Sequence, residues 1–213
     1  MESEHSARLQ VTVRQATREE IPAVARIHYY ALPDDYLPSL GLDFLERVHY
    51  PAAFASEHGI NLVAVVGGQP VGFVTVAHDA GNFSRDVMRR GVLKMAWYAV
   101  RAALRDLRHL KLSAEVFASV LRGTPDPVTG EIFLIAVDRE WQGRGVGQAL
   151  VQATLDHLAG HQVDRCRTKT LAANHGVIAM YSKFGWSVRE RFCLIGREYV
   201  TIVSPEIHVA ISR

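Results

Sequence analysis

The chain has 213 residues, 48% hydrophobic and 22% charged, with a formal net charge of +2 and a pI near 8.6. That is enough apolar material for a sizeable core, without the basic excess that would make nucleic acid the expected partner. Its two cysteines, Cys166 and Cys193, stand far apart with no companion ligands at zinc-site spacing. Neither a disulfide framework nor a metal knuckle is expected, and both thiols read as buried in strands. The opening residues are polar, and an apolar run such as 95–100 is far shorter than a bilayer span. A cytoplasmic protein without a transmembrane segment is the expectation, built as one domain over 1–213 that carries an insertion.

In chain order, residues 9–14 alternate like a half-buried strand, and Thr17 with Glu20 three residues later announces a helix over 21–31. A Pro and Asp loop over 32–38 precedes a second helix over 41–55, which Pro51 should kink or divide. Residues 60–66 and 71–77 are β-branched runs joined by a Gly-rich connection, an antiparallel hairpin. From 79 to 129 the pattern turns helical, with Val87, Met88, Leu93, Met95, Val100, Leu104 and Leu107 near helical spacing and a further helix-like piece around 114–121. An apolar strand over 131–137, a Gly-rich loop and a helix over 146–158 follow. A strand over 167–171, a helix over 175–183 and two final strands over 188–194 and 199–203 complete the chain.

The strand–loop–helix EIFLIAVDREWQGRGVGQALV has the makings of an anion site. Gly143, Gly145 and Gly147 let successive backbone N–H groups face phosphate oxygens, the helix start adds partial positive charge, and Arg144 adds a full one. A nucleotide P-loop would need Lys and then Ser or Thr where Gln148 and Ala149 stand, and a dinucleotide fingerprint would need a third Gly at Gln148.

Gln142-Gly143-Arg144-Gly145-Val146-Gly147 resembles the Q/R-x-x-G-x-G/A signature of the GNAT acyltransferases, with the required residues at Gln142, Gly145 and Gly147. Asn174 through Ala179 and Tyr181 to Gly185-Trp186 is similar to the same family's second segment, with Val177 for the usual Ala and Trp186 for the usual Phe. The resemblance covers roughly 131–186, and the helical insertion over 79–129 has no counterpart in the family's minimal core. It implies an α/β (α+β) fold: a mixed central sheet of about six or seven strands with a splayed parallel pair, flanked by helices, with the insertion between the third and fourth strands. It also implies acetyl-CoA as cosubstrate, the pantetheine arm lying in the splay against the backbone of Ile135, Ala136 and Val137.

In the site the resemblance implies, Gln142 to Gly147 holds the pyrophosphate and Asn174 hydrogen-bonds the pantetheine while capping a helix. A backbone N–H near Val137 serves as oxyanion donor, and Tyr181 protonates the departing thiolate. Glu131 resembles the catalytic glutamate of the histone-acetylating branch, which would deprotonate the attacking amine; waters or other carboxylates do so in many relatives. The acceptor groove is expected beside the first two helices, at His28, Tyr29, Tyr30, Asp34, Asp35 and Tyr36, whose carboxylates and rings suit a cation. The implied activity is acetyl transfer to a primary amine of a small molecule. An amino sugar or nucleotide amino sugar is one lead; a protein or peptide amine and a non-catalytic acyl-CoA sensor are the alternatives. Arg85, Arg89, Arg90, Lys94, Arg101, Arg105, Arg108 and Lys111 make the insertion basic, which suits a solvated face, a phosphate-bearing acceptor or peripheral membrane contact. No metal is expected, and a homodimer is left open.

Overall fold

The computed structural model describes residues 10–104, 114, 115, 118, 127–194 and 196–207. Strand β1 (Thr12–Gln15) leads into a capping box at Thr17, where the Glu20 carboxylate accepts the Thr17 N–H at 2.9 Å. Arg14 grips the same carboxylate with two N–H···O contacts of 2.8 Å, so the end of the strand and the start of the helix share one anchor. Helix α1 (Ile21–Ala31) follows and buries Ile21, Val24, Ala25, Ile27 and His28. The helix expected over 41–55 is divided, as Pro51 requires. After α2 (Tyr36–Ser39) come α3 (Leu42–Phe44), a π turn over Leu45–His49 and α4 (Tyr50–Phe54). Pro51 has no N–H to give and its ring crowds the carbonyl four residues back, so the chain loosens just before it.

The hairpin forms as β2 (Gly59–Val66) and β3 (Gln69–Ala77), and Asp79 then caps α5 (Ala80–Ala103) by accepting the Asn82 N–H at 3.0 Å. Of the apolar positions expected on this helix, Val87 and Met95 pack against buried clusters, whereas Leu93 and Leu104 are each 84% exposed. The close contacts come instead from small residues: a Cβ on Gly91 would lie 3.3 Å from Val48, and Ala102 and Ala103 are buried. Leu107, most of the piece around 114–121, Arg105, Arg108 and Lys111 lie outside the described residues.

The remaining elements are β4 (Gly130–Val137), α6 (Val146–Gly160), β5 (Cys166–Leu171), α7 (His175–Ser182), β6 (Ser187–Leu194) and β7 (Arg197–Val203). They complete a sheet of seven strands in the order β1-β2-β3-β4-β5-β7-β6, antiparallel throughout except for the β4–β5 pair. One face packs α6 and α7 through Val146, Leu150, Val151, Leu158 and Tyr181, and the other packs α1, α3 and α4 through Val24, Phe44, Leu45 and Tyr50. Cys166 is buried as expected, but Cys193 is exposed, because β6 is the sheet's outer strand and shows most of its residues to solvent.

Two irregularities in β4 shape the site. Against β3 its register runs Leu134 to Thr75 and then Ile132 to Val76, which leaves Phe133 as an extra residue. Such a bulge bends a strand and increases its twist. At the same level the parallel ladder with β5 stops: Gly130, Glu131 and Ile132 pair with Cys166, Arg167 and Thr168, and no pairing continues beyond. Thr168 Oγ1 closes the ladder by donating to the Ile132 carbonyl at 3.1 Å. Beyond it β5 stays with β7 while β4 stays with β3, so the two strands part.

Candidate active site

The loop after β4 is ordered by its own hydrogen bonds. Asp138 caps a 3-10 turn over Arg139–Trp141, and the Gln142 side-chain amide donates to the Val137 carbonyl at 3.0 Å. Gln142, expected to hold a ligand, therefore spends its amide on tying the loop to the end of the strand. Gly143 and Gly145 have φ of 74° and 84°, left-handed values that favour glycine. The first helical bond of α6 runs from the Ala149 N–H to the Gly145 carbonyl at 3.0 Å, so the N–H groups of Val146, Gly147 and Gln148 have no carbonyl within the helix to receive them. A Cβ on Gly147 would stand 3.0 Å from Met180 Sδ, so glycine keeps this approach open. Arg144 places its guanidinium 5.2 Å from the Trp141 ring centre, a cation–π contact beside the loop. Val146 is buried in the core and can offer only its backbone to a ligand.

A cavity of about 750 Å³ opens above this loop, lined by Gly143, Gly145 and Gly147, by Ile135, Ala136 and Val137 on β4, and by Asn174, Val177 and Met180 of α7 and its cap. A second, of about 220 Å³, lies in the parting of β4 and β5, between Phe133 to Ile135, Thr168 to Leu171 and the Ala31 to Asp35 loop. Ala31, Leu32, Ile135, Asn174 and Val177 line both, so the two are halves of one cleft that crosses the splay. Asn174 caps α7 by accepting the Val177 N–H at 3.3 Å and stands where the halves meet.

Tyr181 is fully buried, with Thr168 beside its hydroxyl, and borders the smaller half. Burial pushes the phenol pKa well up, so the group stays protonated and has a proton to donate. The features acetyl-CoA would need are thus present in this chain: left-handed glycines beside unpaired helix amides, and a protonated tyrosine hydroxyl bordering the splay.

Glu131 has a setting that the sequence does not suggest. It faces neither half of the cleft. Arg167 reaches one carboxylate oxygen with two nitrogens at 2.8 Å each, and Lys169 reaches the other at 3.2 Å. The Glu131 and Arg167 side chains are only 8% and 7% exposed. Both carboxylate oxygens are thus engaged within the closed part of the ladder.

The expected acceptor groove separates into parts. Asp34 and Asp35 line the smaller half of the cleft, joined by Lys169 and Tyr199. Arg197 pins this loop by donating to the Asp34 carbonyl at 3.0 Å. Burial raises the Asp35 carboxyl pKa, with Arg197 opposing and Asp34 reinforcing the shift. Tyr29 and Tyr30 instead line a different cavity beside Arg139, and Tyr36 is half-buried in the helical layer. His28 is no groove residue: it is fully buried, its Nδ1 lies 2.8 Å from the Tyr50 hydroxyl, and burial, aided by His49, lowers its pKa to about 3. Arg89, Arg90 and Lys94 are exposed on α5 and line neither half of the cleft.

Comparison with known proteins agrees with this geometry. A family model described as the acetyltransferase (GNAT) family matches residues 26–186, from α1 to the end of the α7 segment. The mycothiol acetyltransferase of Beutenbergia cavernae is 38% identical over 72 residues, 34% of this chain and 24% of that protein. That of Tsukamurella paurometabola is 37% identical over 68 residues, 31% of this chain and 23% of that protein. The matched stretch thus spans about a quarter of each of these relatives. Among solved structures, the ribosomal-protein-S18-alanine N-acetyltransferase from Escherichia coli superposes with a TM-score of 0.59 at 15% identity, covering 94% of this chain and 96% of that one. The ribosomal-protein-alanine N-acetyltransferase from Brucella melitensis gives 0.61 at 16% identity, covering 91% and 99%. At such identities the likeness is one of fold.

Proposed function

The chain belongs to the acetyltransferase (GNAT) family, and from that premise we propose that it moves the acetyl group of acetyl-CoA to the primary amine of a small molecule by direct attack in a ternary complex. The observation that carries this reading is the end of the β4–β5 ladder at Ile132 and Thr168, which opens one continuous cleft from the glycine loop to an acidic pocket.

Acetyl-CoA supplies an activated thioester. Its pyrophosphate belongs at the amides of Gly143 to Gly147, with Arg144 adding charge, and its pantetheine belongs along Ile135 to Val137 beside Asn174. This stretch of β4 has no strand partner on the cleft side, so its backbone edge is available for pairing. Tyr181 Oη holds a proton for the departing sulfur. The amine enters the smaller half, where Asp34 and Asp35 draw in a cation and Tyr199 supplies a ring. Asp35 takes the proton that an amine of pKa roughly 10 carries at neutral pH, since burial keeps its carboxyl more basic than usual. Glu131 is a positioning residue in this scheme: with Arg167 and Lys169 it locks the closed part of the ladder from which the splay departs.

The test is CoA release from acetyl-CoA against a panel of amino sugars, nucleotide amino sugars, polyamines and peptide N-termini, beside calorimetric titration with CoA. Turnover with a small amine supports the proposal, and turnover confined to peptides moves the acceptor to a protein. CoA binding without turnover on any amine leaves a sensor, and loss of CoA binding overturns the site.

A further inference from the structure

At the far end of α6 from the glycine loop, three histidines converge. His157 and His161 stand one turn apart on the helix, and His78 reaches them from the junction of β3 and α5. One ring nitrogen of each lies within 4.8 Å of one from each of the others. The His78 and His161 rings stack at 4.5 Å with 13° between their planes, and His157 lies 4.3 Å from His161.

The hydrogen bonds leave the right atoms open. Among the described residues, His78 Nδ1 and His157 Nε2 are buried and have no hydrogen-bond partner. His161 Nδ1 sits 3.0 Å from the His157 carbonyl, which fixes the Nδ1–H tautomer and turns the Nε2 lone pair outward. His161 is exposed, but the buried His78 Nδ1 and His157 Nε2 are costly to leave without a partner. A cation accepted by all three lone pairs removes that cost, and the helix C-terminus favours positive charge at the same place.

We propose that His78, His157 and His161 form a site for a divalent transition metal of the zinc class, which staples the β3–α5 junction to the last turn of α6. Imidazole nitrogens suit such ions, and three of them leave a fourth position for water or an added ligand. A tetrahedral zinc site holds its nitrogens about 3.3 Å apart, a value that follows from bonds of about 2.0 Å. The His78 and His161 rings, stacked near-parallel, have to swing out of the stack for their in-plane lone pairs to converge on one ion. His58 and Asp79 also face this cluster; the Asp79 carboxylate is held by Asn82 at 3.0 and 2.6 Å as a helix cap. The site is remote from the proposed chemistry, so its test stands apart from the enzymatic reading.

Tag-free full-length protein, stripped with chelator, is titrated with zinc chloride by calorimetry and melted at increasing free zinc. Saturable binding of one equivalent, a melting temperature that keeps rising with free zinc and tetrahedral absorption bands on cobalt substitution are expected. His161→Gln, at an exposed position, should weaken zinc binding by about 100-fold or more, at or beyond what loss of a supporting contact does, while CoA binding stays as in the parent. His157→Gln should do the same. Absence of saturable zinc binding, or parental affinity retained in His161→Gln, overturns the proposal.

Discussion

Within β4, residues 130–132 have strands on both sides, whereas residues 133–137 have β3 on one side and a cleft on the other. FLIAV is wholly apolar whereas GEI holds a Gly and a charge, yet nothing in that composition opens a cleft. Neighbours make the difference. In the closed half every backbone group has a ladder to join, and the charge of Glu131 is answered by Arg167 and Lys169. In the open half the backbone edge is unclaimed among the described residues, and near it stand the buried Tyr181 and Asp35, whose carboxyl pKa burial raises. The residues proposed for the chemistry thus stand next to a part of the same strand whose charge is paired.

The sharpest way to break that division is Glu131→Gln. Removing one partner of a buried ion pair strands the other, so stability by chemical denaturation should fall by about 3–5 kcal/mol, while kcat of the folded protein in the cold changes little. A collapse of kcat at unchanged stability would place the chemistry in the closed half instead. Tyr181→Phe acts on the open half alone: kcat should drop about 100-fold with the KM for acetyl-CoA unchanged.

Asp35→Asn should lower kcat/KM for the amine about tenfold at neutral pH, a modest general-base contribution. It should also remove the acid limb of the pH profile. In the parent protein activity needs the ionised carboxyl, so it declines as pH falls through a pKa that burial has raised above the usual carboxylate range. A profile identical in the variant would show that another group is the base. The smallest effect is expected from Thr168→Val, which removes the hydroxyl that closes the ladder on the Ile132 carbonyl, a loss of about 1 kcal/mol in denaturation.

Much of the fold was legible because its signals are local. The capping box at Thr17 and Glu20, the hairpin of β2 and β3 and the division before Pro51 each depend on a few adjacent residues. The glycine loop was legible for the same reason, since positive φ at Gly143 and Gly145 is a property of single positions. His28 was misplaced because a side chain's partner is not written beside it: it is tied to Tyr50, whereas Gln142 lines the cleft while its amide also reaches the Val137 carbonyl. Tyr199 and Lys169 reach the cleft only through the pairing of β5 with β7, and His78 meets His157 and His161 across some 80 residues of chain.

By itself the sequence determined the order of strands and helices, the glycine-rich turn and the family, because each is encoded in short-range periodicity, turn chemistry or a contiguous motif. Only the tertiary structure decided where β4 and β5 part, which carboxylate is clamped and which faces the cleft, and which histidines share a corner. Those outcomes depend on contacts between residues far apart in the chain, and whether a side chain is paired or left open is a property of the neighbours that folding brings to it.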